Sequence, residues 1–122
     1  MKILIVDDMP VMRALLAAFC DEQGFEHVPA VDGKDALIQI ALHQPFDLVL
    51  IDWDMPVMTG IELVKAIRAN PSYNEMPLMM VTTRINQENV VEAIEEGADD
   101  YLMKPVTEEM FLEKLRILGF IN

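Results

Sequence analysis

Only one residue in this chain of 122 is a cysteine, Cys20, so no disulfide can form within it. Cys20 falls in an amphipathic helical pattern and reads as a small core residue. Basic residues are also scarce: nine lysines and arginines face twenty-one acidic residues, for a formal net charge of −12. That balance argues against nucleic acid or an anionic membrane as partner, and favours cations or proteins with basic patches. No apolar stretch approaches the length of a membrane span, and the opening "MKILIVDD" turns acidic too soon for a secretory leader. A cytoplasmic protein is expected. The chain has no glycine-rich phosphate loop of the P-loop or dinucleotide type, and no repeat, linker or low-complexity tract.

What is present is a regular alternation. Residues 1–122 suffice for one domain with one core. Five short apolar runs, Ile3 to Val6, Phe25 to Pro29, Leu48 to Ile51, Leu78 to Val81 and Tyr101 to Met103, are separated by helical patterns. At least three runs are near-continuously hydrophobic, as strands covered on both faces must be. The helices carry their own punctuation. Pro10 suits a first turn and Gly24 a stop, while Asp32 with Gly33 opens the second helix and Pro45 follows its end. Thr59 and Glu62 form a T-x-x-E capping box, Asn86 and Gly97 bracket the fourth helix, and Thr107 with Glu108 and Glu109 starts the fifth. Five βα units in a three-layer α/β domain with a parallel sheet are expected.

In such a sheet every strand points its C-terminal end at the same edge, and ligands bind beyond it. The residues just after each run are therefore the informative ones. The first run ends in Asp7 and Asp8, the third in Asp52, the fourth in Thr82 and Thr83, and the fifth in Lys104. Each alone is accounted for by a turn, a cap or a solvated charge. Together they are not, because acids gathered at one edge repel unless a cation offsets them. Oxygen donors without His or Cys select Mg²⁺. His27 and His43 lie elsewhere and are assigned no ligand or general-base role.

The segments "ILIVDD", "LVLIDWDMPVMTG", "MMVTT" and "GADDYLMKP" together resemble the receiver domain of bacterial two-component response regulators, over essentially the whole chain. The pattern is most similar to CheY-like chemotaxis receivers, including the tryptophan after the acceptor position, "ENVVEA" and Lys114. The resemblance implies a flavodoxin-like, doubly wound strand order 2-1-3-4-5 and a cis Lys104 to Pro105 bond. It implies that Asp52 accepts a phosphoryl group from a histidine kinase or phosphotransfer protein. Asp7, Asp8, Asp52 and the carbonyl of Asp54 would hold Mg²⁺, Lys104 would pair with Asp52, and Thr82 would donate to the phosphoryl oxygens. Tyr101 would turn inward on activation, and the surface formed by the fourth helix, fifth strand and fifth helix, with Gln87, Tyr101 and Lys114, would bind a downstream protein. Such a protein is a switch with slow self-dephosphorylation at most, and not an enzyme.

Some residues depart from the pattern. Asp54 stands where an amide is usual and Arg84 lies two after Thr82; they read either as two solvated loop charges or as an Asp54–Arg84 pair shielding the site, with bulky Thr83 slowing access. Met79, Met80 and Met103 read as core filler, and Met55 and Met58 as exposed for docking. Two other functions fit parts of the sequence. "DWD" matches the D-x-D of haloacid-dehalogenase-type phosphatases, with Asp54 as general acid and base. A pseudo-receiver that binds without phosphorylation is the third reading.

Overall fold

The computed structural model describes residues 1–122. Along the chain run β1 (Lys2–Val6), α1 (Pro10–Glu22), β2 (Glu26–Ala30), α2 (Gly33–His43), β3 (Leu48–Ile51) and α3 (Gly60–Arg68). A 3₁₀ turn (Pro71–Tyr73), β4 (Leu78–Thr82), α4 (Gln87–Glu96), β5 (Asp100–Met103) and α5 (Glu108–Ile117) follow. All five strands are parallel, in the order β2-β1-β3-β4-β5. The doubly wound fold expected from the residues and the resemblance is thus the observed one.

Successive strand residues point to opposite faces, which divides the core in two. Leu4, Val6, Val49, Ile51, Leu78 and Met80 pack under α2, α3 and α4 with Ile40, Val64, Ile67 and Ala93. Ile3, Ile5, Leu48, Leu50, Met79 and Val81 face α1 and α5, against Leu16, Cys20, Phe111 and Leu115. Two covered faces explain the unbroken apolar runs. Burial drives the Cys20 thiol up to about 12, with Asp21 adding to the effect.

The helix ends follow local chemistry. Asp32, Asn86 and Thr107 each cap a helix through a side-chain oxygen, and Thr59 with Glu62 makes the reciprocal capping box. Gly97 closes α4 at φ 121°, a backbone state that favours glycine.

Four expectations need correction. The second strand is Glu26–Ala30, one residue later than the apolar run, because the Phe25 N–H turns back to the Cys20 carbonyl and the ring packs under α1. Met103, taken as core filler, is 39% exposed, since β5 is an edge strand and its last side chain clears the helices. Met55, taken as a docking residue, is buried in the core beneath the loop after β3. Met58 is half-buried and lies against Gly33 at the start of α2.

Strand order places the site. The chain leaves β1 toward β2 on one side and returns to β3 on the other, so the crevice between the ends of β1 and β3 is where helices diverge. Val6 is in register with Ile51, so Asp7 and Asp52 emerge side by side.

Candidate functional site

Backbone bonds fix the platform. Asp7 N–H donates to Ala30, Asp52 N–H to Val6 and Lys104 N–H to Thr82, so the strand ends stay in the ladder one residue past the apolar runs. Gly60, the first residue of α3, donates to the Trp53 carbonyl at 2.8 Å. A Cβ at Gly60 would stand 2.2 Å from the Asp52 carbonyl oxygen, so only glycine lets the helix start this close to Asp52.

On this platform the carboxylates of Asp7, Asp8 and Asp52 each bring an oxygen within 4.8 Å of the others. Asp7 and Asp52 are buried and Asp8 is exposed, which opens the cluster on one side. Lys104 supplies the counter-charge, its Nζ 3.1 Å from Asp7 Oδ2 and 3.3 Å from Asp52 Oδ1. The second Asp7 oxygen accepts the Met9 N–H at 2.9 Å. Lys104 and Pro105 are joined by a cis bond, as expected, and Gln44 and Pro45 by another that the sequence did not signal.

One ammonium against three carboxylates leaves an excess of negative charge. Burial, and after it the charge of Asp7, raises the Asp52 carboxyl to about 6, while Lys104 works in the opposite direction. For Lys104 burial disfavours the charge, but Asp52 and Asp7 outweigh it and its pKa rises. An all-oxygen donor set with uncompensated charge and one open side fits a hard divalent cation.

Thr82 is fully buried and its hydroxyl accepts the Arg84 N–H at 3.2 Å, while Thr83 stands at the surface. Asp54 turns away from the acid cluster and forms a two-pronged ion pair with Arg84, Oδ1 to Nη2 at 2.6 Å and Oδ2 to Nε at 3.2 Å. With both oxygens engaged, Asp54 is poorly placed as the general acid and base of a phosphatase. Tyr101 lies inside, its hydroxyl donating to the Arg84 carbonyl at 2.7 Å, so the ring that the resemblance makes mobile is already inward. Gln87 opens α4 at the surface, and Lys114 on α5 pairs with Asp100 at 2.8 Å. His27 instead pairs with Asp21 near the opposite edge of the sheet, and the His43 carbonyl accepts from Lys2.

Sequence reasoning missed two participants. Trp53 lies under the Arg84 guanidinium, 4.8 Å from it, and Asn89 meets Arg84 Nη1 at 3.4 Å. Neither contact has a periodic or spacing signal, because both depend on how two loops meet.

Residues 3–116 match the family model described as the response regulator receiver domain. The chain is 35% identical to the chemotaxis protein CheY of Pseudomonas aeruginosa over 94% of its own length and 93% of that protein. It is 36% identical to a CheY homolog of Campylobacter jejuni, over 98% of this chain and 93% of the other. Among solved structures, Vibrio cholerae CheY4 superposes with a TM-score of 0.89 at 36% identity, covering 95% of this chain and 96% of that one. The receiver domain of a Pseudomonas aeruginosa sensor histidine kinase, with a magnesium ion coordinated in its active site cleft, superposes at 0.84 with 28% identity, covering 95% and 94%.

Proposed function

This chain belongs to the response regulator receiver domain family, and we propose that it is a phosphorylation-driven switch whose acceptor is Asp52, with residues 1–122 acting as a single receiver domain. The observation that supports this most is the Lys104 ammonium between Asp7 and Asp52, beside the open carboxylate of Asp8. A carboxylate held rigidly at a strand end, with a cation alongside, meets the needs of phosphoryl transfer, which are positioning and charge stabilisation.

In the proposed reaction an Asp52 oxygen attacks the phosphorus of a phosphohistidine on a kinase or phosphotransfer protein. The P–O bond forms as the P–N bond breaks, the electron pair stays on the imidazole nitrogen, and that nitrogen takes a proton from water. Asp7, Asp8, Asp52 and the Asp54 carbonyl would hold Mg²⁺, which when bound neutralises charge on the transferring group. Lys104 follows the charge from the carboxylate to the new phosphoryl oxygens, and the Thr82 hydroxyl donates to them. Exposed Met9, Val11, Val57 and Ile85 lie on the segments that follow β1, β3 and β4 and suit an apolar contact with the donor protein.

Readout would pass through Thr82 and the following loop to the α4-β5-α5 face. Glu88, Glu92, Glu95 and Glu96 give α4 four acidic residues and no basic one, so the downstream protein is expected to present a basic surface. The chemotaxis names of the relatives support a target in motility. The Asp54–Arg84 pair and Thr83 would slow water's approach to the acyl phosphate and lengthen its life.

The test is the intact mass after incubation with acetyl phosphate, with and without Mg²⁺, for the native chain and Asp52→Asn. A gain of one phosphoryl group that needs Mg²⁺ and is lost in the variant is the expected result. No gain in the folded native chain, from acetyl phosphate or a phosphorylated donor protein, would overturn the reading in favour of a pseudo-receiver.

A further inference from the structure

Arg84 makes contacts in several directions at once. Its guanidinium grips both oxygens of Asp54, lies over Trp53 and reaches Asn89 on α4. The main chain of the same residue is also engaged: the N–H donates to the Thr82 hydroxyl and the carbonyl accepts the Tyr101 hydroxyl. One residue thus ties the loop after Asp52, the start of α4, the end of β4 and a ring on β5.

The Tyr101 ring is 7% exposed and packs in the cluster beneath α4, so its hydroxyl must find an acceptor inside. That acceptor belongs to Thr83–Asn86, a connection between β4 and α4 outside any strand or helix. What anchors this connection is the side chain of Arg84, which bonds both oxygens of Asp54 and lies 4.8 Å from the centre of the buried Trp53 ring. A two-pronged ion pair whose guanidinium also lies over an aromatic ring leaves the arginine little freedom, and its own carbonyl is fixed with it.

We propose that Arg84 is a positioning residue that presets Tyr101 in its inward place before any phosphoryl group reaches Asp52. The resting protein then already carries the ring-in form of its α4-β5-α5 face, and the signal acts mainly at Thr82. The meaning of the ring-in form rests on the receiver reading. The dependence of the ring on the arginine does not.

The chain has two tyrosines, Tyr73 and Tyr101, so 3-fluorotyrosine labelling gives two fluorine resonances. Their broadening by a soluble paramagnetic agent would be measured without Mg²⁺ or phosphodonor in the native chain, Arg84→Ala and Asp54→Ala, with Tyr73 as internal reference. The Tyr101 resonance is expected to be shielded in the native chain and to broaden several-fold more in both variants. Arg84→Lys should recover only part of the shielding, because an ammonium cannot span both Asp54 oxygens. In a double-mutant cycle, the fold-losses in folding equilibrium from Arg84→Ala and Tyr101→Phe should not multiply.

Equal shielding of Tyr101 in the folded variants would overturn the proposal, by showing that packing alone holds the ring. So would a Tyr101 exposed in the native chain and shielded only with beryllofluoride and Mg²⁺, a result that would leave the phosphoacceptor reading standing.

Discussion

The Lys104 ammonium meets the Asp52 carboxylate at 3.3 Å although the two residues are 52 positions apart in the chain. β5 does not touch β3; β4 lies between them. The lysine therefore spans a strand to reach the crevice, and it does so as the positive partner of Asp7 and Asp52, both buried.

Removing that partner should leave two buried carboxylates uncompensated. Lys104→Met is expected to cost about 3–5 kcal/mol at neutral pH without metal, in line with broken buried pairs. Urea unfolding should show the loss shrinking as pH falls, because the carboxylates can then take protons, and shrinking again when Mg²⁺ is added.

Asp52 itself should give metal-free stability an inverted pH dependence. Its carboxyl is raised from 3.8 to about 6 in the folded chain. Between those values the folded state binds more protons than the unfolded one, so this group's stabilising contribution is full below 3.8 and is lost as pH rises through about 6. Relative to Asp52→Asn, the native chain should lose on the order of 2–3 kcal/mol from acid to neutral pH. Unfolding curves across that window check the sign, and saturating Mg²⁺ should narrow the difference.

Val57 is the one non-glycine residue with positive φ, at 73°, in a tight turn closed by the Met58 N–H on the Pro56 carbonyl at 2.8 Å. A β-branched, solvent-exposed residue gains nothing there to offset the strain. Val57→Asn should stabilise the fold by about 0.5–1.5 kcal/mol, read as a higher urea midpoint at unchanged slope.

Gly60→Ala should do the reverse. The added methyl meets the Asp52 carbonyl at 2.2 Å and the Trp53 Cα at 2.8 Å, both backbone atoms that cannot swing aside. A loss of about 1–3 kcal/mol is expected. Phosphorylation by acetyl phosphate should fall in the same variant, because the loop that carries the acceptor must move.

Asp54→Asn and Arg84→Ala should each shorten the life of the acyl phosphate several-fold, if their pair screens it from water. Decay of the phosphorylated mass with time, Mg²⁺ held constant, measures it. Unchanged decay in both would remove the screening role and leave the contact with Tyr101 untouched.

Much of this protein was legible because it is encoded locally. Unbroken apolar runs such as Leu48–Ile51 state that both faces of a strand are covered, and Asp32, Thr59, Asn86 and Thr107 cap helices through atoms three residues away. The polar residues after each run could be assigned to one edge because parallel strands end on one side. Tertiary structure decided the rest. It buried Met55, exposed Met103, laid the Arg84 guanidinium over Trp53, and put the Tyr101 hydroxyl on the Arg84 carbonyl. These outcomes depend on where separate loops arrive once the sheet has ordered its strands, and no local period or spacing records that arrival.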